Sequence, residues 1–68
     1  MQVESREIKL NNNETGILTI VTYTDNEKRF IIEDNYRIIG SSKINKKQAL
    51  YNYNRNRKRA GNNIKNTH

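Results

Sequence analysis

The chain has no cysteine, no proline and no tryptophan, its single histidine is its last residue, His68, and no acid occurs after Asp34. Each absence removes a class of protein. Without cysteine there is no disulfide and no thiolate zinc site, so stability must come from a hydrophobic core, a dimer interface or a bound partner, and a cytoplasmic address is expected. With one terminal His and no Cys there is no nucleophile and base pair to build. The seven acids fall mainly in predicted turns and exposed strand positions instead of forming a convergent pair. Gly16, Gly40 and Gly61 stand more than twenty residues apart, too far for a glycine-rich phosphate loop. The expectation is a protein that is not an enzyme, with no catalytic residue, no metal site and no cofactor.

Long apolar runs are missing too: none exceeds three residues, and the opening MQVESREIKL carries charges of both signs. A secretion signal or a membrane span needs a longer apolar stretch, so the chain is expected to be neither exported nor membrane-spanning. At 68 residues the chain can hold one domain, and a domain of that size removes only about 60% of its unfolded surface from water. One domain is expected over residues 1–61, followed by a disordered basic tail at 62–68. Twelve Asn, nine Ile and no Pro suit an AT-rich genome, such as that of a low-GC bacterium, its phage or a plasmid.

What is present is organised in two unlike halves. Residues 3–10 form a weakly alternating candidate edge strand, and the Asn-rich stretch before Gly16 reads as a turn. The best strand is 16–24, where Ile17, Thr19, Ile20, Val21, Thr22 and Thr24 crowd β-branched side chains that a helix resists. One face carries Leu18, Ile20, Thr22 and Thr24, the other Ile17, Thr19, Val21 and Tyr23. A polar turn at Asp25, Asn26 and Glu27 leads to a strand over 28–34, and a reversal at Asp34 and Asn35 leads to a short last strand over 36–40. That pairing sets Phe30 and Ile31 against Ile38 and Ile39, with Tyr23 and Tyr36 half-buried in the core and Gly40, Ser41 and Ser42 breaking the strand.

The period then changes. Asn45 followed by Gln48 is a variant capping box, with Ile44 and Ala49 as the two sides of a hydrophobic staple. A helix is expected over 46–60, closed by Gly61, with Ala49, Leu50, Tyr53 and Ala60 packing on the sheet. The fold class is therefore α+β: a small antiparallel β-meander of three or four strands, one basic C-terminal helix and a flexible tail.

The charge divides at the same point. Residues 1–42 hold five basic residues against all seven acids, while 43–65 hold eight basic residues and no acid. On a helix, Lys47, Tyr51, Arg55, Lys58 and Arg59 share a face, flanked by Asn52, Asn56 and Arg57, with Lys46 beside Lys47 in the first turn. Lys46 and Lys47 stand where the helix dipole disfavours cations, and Arg57, Lys58 and Arg59 stand where it favours them. Lys and Arg neutralise phosphates, guanidinium groups grip phosphate or guanine in a fork, Asn reads base edges and Tyr stacks on unpaired bases. The candidate nucleic-acid-binding residues are thus Lys46, Lys47, Tyr51, Asn52, Arg55, Arg57, Lys58 and Arg59.

The run RNRKR at 55–59 resembles the arginine-rich helices that enter a widened RNA groove. The order of a meander followed by one helix resembles the small arm-binding domains of phage integrases and a related plant DNA-binding domain, which implies the α+β class. In those domains the sheet enters the major groove. The candidate strands here present Glu27, Glu33 and Asp34 beside Arg29 and Arg37, so the sheet has no positive excess.

The function expected from the sequence is non-enzymatic binding of nucleic acid, DNA ahead of RNA, through the basic helix, as a phage or mobile-element regulator or accessory factor. The alternative is a modulator or anti-defence inhibitor that binds a larger nucleic-acid-handling protein through the same helix or an edge strand. The thin core and the candidate edge strand also point to pairing with a second copy as a homodimer.

Overall fold

The computed structural model describes residues 1–10 and 13–66, with side chains described as far as Ala60. Its centre is β2 (Thr15–Thr24), whose β-branched residues favour the extended backbone. β1 (Gln2–Lys9) pairs with it antiparallel on one side, and β3 (Glu27–Glu33) pairs antiparallel on the other. β4 (Ile39–Ser42) adds to β3, so the four-stranded sheet runs β1-β2-β3-β4 in chain order. The helix α1 (Lys46–Asn66) follows and packs across β3 and β4. The expected α+β meander with one C-terminal helix is the fold that forms.

The cross-strand register brings Leu18 beside Ile32 and Ile20 beside Phe30, so these four share the face under the helix. The buried core is Leu10, Leu18, Ile32, Ala49 and Tyr53, with Ile8, Ile20, Phe30, Ile38 and Leu50 packed around it. The opposite face of the sheet has no layer over it among the described residues, and Val3, Ile17, Tyr23 and Ile39 stand exposed there. The Tyr23 and Tyr36 rings, expected half-buried, are 48% and 76% exposed. Tyr23 follows the β-bulge side of the β2–β3 hairpin, where Thr24 Oγ1 accepts the Asn26 and Glu27 amides at 3.3 and 3.1 Å.

Both core-facing glycines are used for closeness. Gly16 lies inside β2, where a Cβ would sit 2.7 Å from Leu10 Cδ1 and 3.0 Å from the Glu33 carbonyl oxygen. It makes room for Leu10 at the start of the expected strand. Gly40 does not break a strand but forms part of β4, opposite Ile32. A Cβ there would overlap the Tyr53 backbone and come within 2.6 Å of the Ala49 carbonyl oxygen, so the bare glycine lets the helix backbone rest on the strand.

The last strand therefore begins three residues later than expected, and its register is Phe30 with Ser42, Ile31 with Ser41, Ile32 with Gly40 and Glu33 with Ile39. The cause is Asp34. Its Oδ1 accepts the Tyr36 and Ile38 amides at 2.9 and 3.0 Å, and its own amide donates to the Ile38 carbonyl at 3.3 Å. This winds residues 35–38 into a loop, with Arg37 at a φ of 65°, before β4 can start.

The helix begins at the expected Asn45 cap: its Oδ1 accepts the Gln48 amide at 2.8 Å and its carbonyl accepts the Ala49 amide at 3.1 Å, while the Gln48 side chain, expected to close the box, donates instead to Asn52. The staple does not form, because Ile44 is 71% exposed. Nor does Gly61 end the helix, which continues to Asn66. The tail expected at 62–68 thus starts where only a helical backbone is described, and Thr67 and His68 lie outside the described residues.

Candidate functional site

The helix faces follow from where it touches the sheet. Ala49 and Tyr53 point inward and are fully buried, and residues about half a turn away from them point outward. Lys47, Tyr51, Arg55, Lys58 and Arg59 are all exposed on that outer face, with Lys46 exposed at its N-terminal flank. From Lys47 to Arg59 the face runs about 18 Å at 1.5 Å per residue. No acid lies in the first turn, and none follows along the helix. Tyr51, 60% exposed, stands between Lys47 and Arg55 one turn either way.

Two of the expected site residues are turned to other work. Asn52 Nδ2 donates to the Ser41 carbonyl at 2.8 Å, while its Oδ1 accepts Gln48 Nε2 at 3.4 Å. Asn56 Nδ2 donates to the Ile39 carbonyl at 2.7 Å. One helical turn spans about the same length as two strand residues, so side chains at i and i+4 meet strand carbonyls at i and i+2. Asn52 and Asn56 thus lace the helix to the outer edge of β4, with Gln48 bonded to Asn52 along the helix. Their i, i+4 spacing beside Ala49 and Tyr53 was the signal in the sequence, and it pointed to the sheet.

Arg57 is the other. Its guanidinium donates to Glu14 Oε1 at 2.7 Å, with side chains 28% and 34% exposed, in the single ion pair among the described residues. This contact spans the β1–β2 loop and the middle of the helix, and only the tertiary fold brings the two together. The structure therefore leaves Lys46, Lys47, Tyr51, Arg55, Lys58 and Arg59 outward and commits Asn52 and Arg57 to the scaffold.

Beneath the helix, Tyr53 donates its hydroxyl to Asp34 Oδ2 at 2.6 Å. Burial and the Asp34 carboxylate together push the Tyr53 hydroxyl up to about 12. Burial works to raise Asp34, but the Tyr53 hydroxyl and the Ile38 and Tyr36 amides outweigh it and hold the carboxyl below its ordinary 3.8. This pair has every oxygen engaged and is structural.

Among the described residues no group of His, Cys, Asp and Glu is arranged to hold a metal ion, and no helix is long and apolar enough to cross a membrane. No family model, curated protein or solved structure matches the chain.

Proposed function

We propose that this protein binds nucleic acid without catalysis, duplex DNA ahead of RNA, by laying the outer face of α1 against phosphates. The observation that carries this reading is the separation of roles along the helix: Lys47, Arg55, Lys58 and Arg59 face outward with no ion pair among the described residues, while Arg57 is neutralised by Glu14. Like charges placed together without acids cost stability through repulsion, and a polyanion removes that cost. A helix about 10–12 Å across fits a major groove about 12 Å wide, which favours duplex DNA. Lys46 adds a cation at the N-terminal flank, and Tyr51 supplies an aromatic surface among the charges. A phage or mobile-element regulator or accessory factor, working in the cytoplasm, is the setting in which a protein of this size and composition fits.

The test is binding of fluorescent duplex DNA, single-stranded DNA and hairpin RNA over a salt series. If Lys47, Arg55, Lys58 and Arg59 each meet a phosphate, log affinity for duplex falls against log salt with a slope of about −4. Negligible affinity for all three ligands at low salt would overturn the reading in favour of the alternative, a modulator that offers the same face to an acidic surface of a larger nucleic-acid-handling protein.

A further inference from the structure

The two edges of the sheet are treated differently. At β4, Asn52 and Asn56 occupy the outward carbonyls of Ser41 and Ile39. β1 has no proline and no bulge, pairing with β2 over eight residues with no register shift, and its four charges, Glu4, Arg6, Glu7 and Lys9, are of both signs, so they repel a second copy only in registers that set like charges opposite. Every residue of β1 except Ile8 is exposed.

Which backbone groups are open follows from one bond. The Leu10 amide donates to the Glu14 carbonyl at 2.7 Å, and that pair continues the β1–β2 register past Lys9 and Thr15. In an antiparallel ladder, residues alternately turn their N–H and C=O toward one neighbour and then the other. Leu10, Ile8, Arg6 and Glu4 therefore face β2. Val3, Ser5, Glu7 and Lys9 face outward.

A second β1 strand added antiparallel must set outward residues against outward residues. In a two-fold dimer this leaves few registers, each centred on one residue or pairing a residue with another of the same parity. Centring on Glu4, Arg6 or Glu7 sets that charge against itself. Centring on Ser5 sets Glu4 of each copy opposite Arg6 of the other, two ion pairs flanking the axis on the helix side of the sheet. It pairs the seven residues from Gln2 to Ile8, and it places Ser5, already 3.1 Å from Thr19 Oγ1, at the axis on the other side. We infer that β1 is a homodimerisation strand, joining two copies through an antiparallel β1–β1 pair centred on Ser5 into one eight-stranded sheet. Centring on Ile8 also sets Glu7 opposite Lys9 but pairs only the end of the strand, whereas the charge order Glu4, Ser5, Arg6 is self-complementary in the register that pairs the strand from Gln2 to Ile8.

The test is a charge swap read by sedimentation, independent of nucleic acid. The natural chain is expected to sediment at twice 8.1 kDa. Glu4→Arg or Arg6→Glu alone makes two like-charge contacts across the axis and should raise the dimer dissociation constant by about tenfold to a hundredfold, and the double variant Glu4→Arg with Arg6→Glu should restore it. Circular dichroism confirms that each variant folds. In parallel, amide exchange of the natural chain should show Ser5 and Glu7 protected at high concentration and open on dilution. A natural chain that stays monomeric at about millimolar concentration overturns the inference, as do folded single variants that dimerise as well as the natural chain or a double variant that fails to recover; a monomer that instead protects Ser5 when another protein is added would assign the edge to that protein.

Discussion

Adding a single methyl group at Gly40 should loosen the helix from the sheet. In Gly40→Ala the new Cβ falls on the Tyr53 backbone and 2.6 Å from the Ala49 carbonyl oxygen, and neither partner is a flexible side chain that can swing aside. Ordinary contact needs about 3.5 Å, so the helix must lift by about 1 Å. A lift of that size stretches the Asn52–Ser41 bond from 2.8 Å and the Asn56–Ile39 bond from 2.7 Å beyond useful length, and pulls Tyr53 from Asp34, now at 2.6 Å. Overpacking costs about 1–3 kcal/mol, and the weakened hydrogen bonds add about 1 kcal/mol each. The sum, about 4–6 kcal/mol, is a large part of the roughly 3–10 kcal/mol that a chain of this length has in all. Urea denaturation followed by circular dichroism measures it. Gly16→Ala is the control: its Cβ meets chiefly the movable end of Leu10, so it should cost less than Gly40→Ala. A Gly40→Ala loss below about 1 kcal/mol would refute the close backbone contact and the helix placement that depends on it.

Three further outcomes follow from the same geometry. Arg55→Ala with Arg59→Ala should weaken duplex binding and reduce the magnitude of the salt slope by about 2, whereas Arg57→Ala should leave the slope within error and lower stability only slightly; equal effects of the two changes on the slope would remove the distinction drawn between outer and inner arginines. Asn52→Ala with Asn56→Ala should cost about 2–3 kcal/mol in urea denaturation without altering affinity per folded molecule, and a stability change near zero would contradict the lacing of β4. Tyr53 holds its proton to about 12 in the folded chain against 10.0 for an ordinary tyrosine, so its contribution is whole below pH 10 and is lost as pH rises through 12. Asp34, held below its ordinary 3.8, contributes above that value and loses its contribution as pH falls through the folded pKa. Stability measured against pH should therefore be flat between these windows and fall at both ends, and Tyr53→Phe should flatten the alkaline fall.

The strands and the helix start were legible because their signals are local. β-branched crowding marks β2, and the Asn45 cap reads directly from the spacing to Gln48. The outer helix face was legible for a similar reason: at 3.6 residues per turn, Lys47, Tyr51, Arg55, Lys58 and Arg59 must lie together whatever the helix packs on. The start of β4 was not legible, since apolar Ile38 and Ile39 look like strand until the Asp34 carboxylate is seen to bind the Tyr36 and Ile38 amides. Gly40, a strand breaker by propensity, belongs in β4 because a helix backbone lies against it.

By itself, then, the sequence determined the α+β order of elements, the charge division and the composition of the helix surface, all of which depend on neighbours within a turn or a strand. Only the tertiary structure decided which cations and amides remain outward. Arg57 meets Glu14 across 43 positions of chain, and Asn52 and Asn56 meet the carbonyls of Ser41 and Ile39. The physical reason is that a side chain's local face sets only what it can reach, whereas its partner is set by what the fold brings within about 3 Å of it.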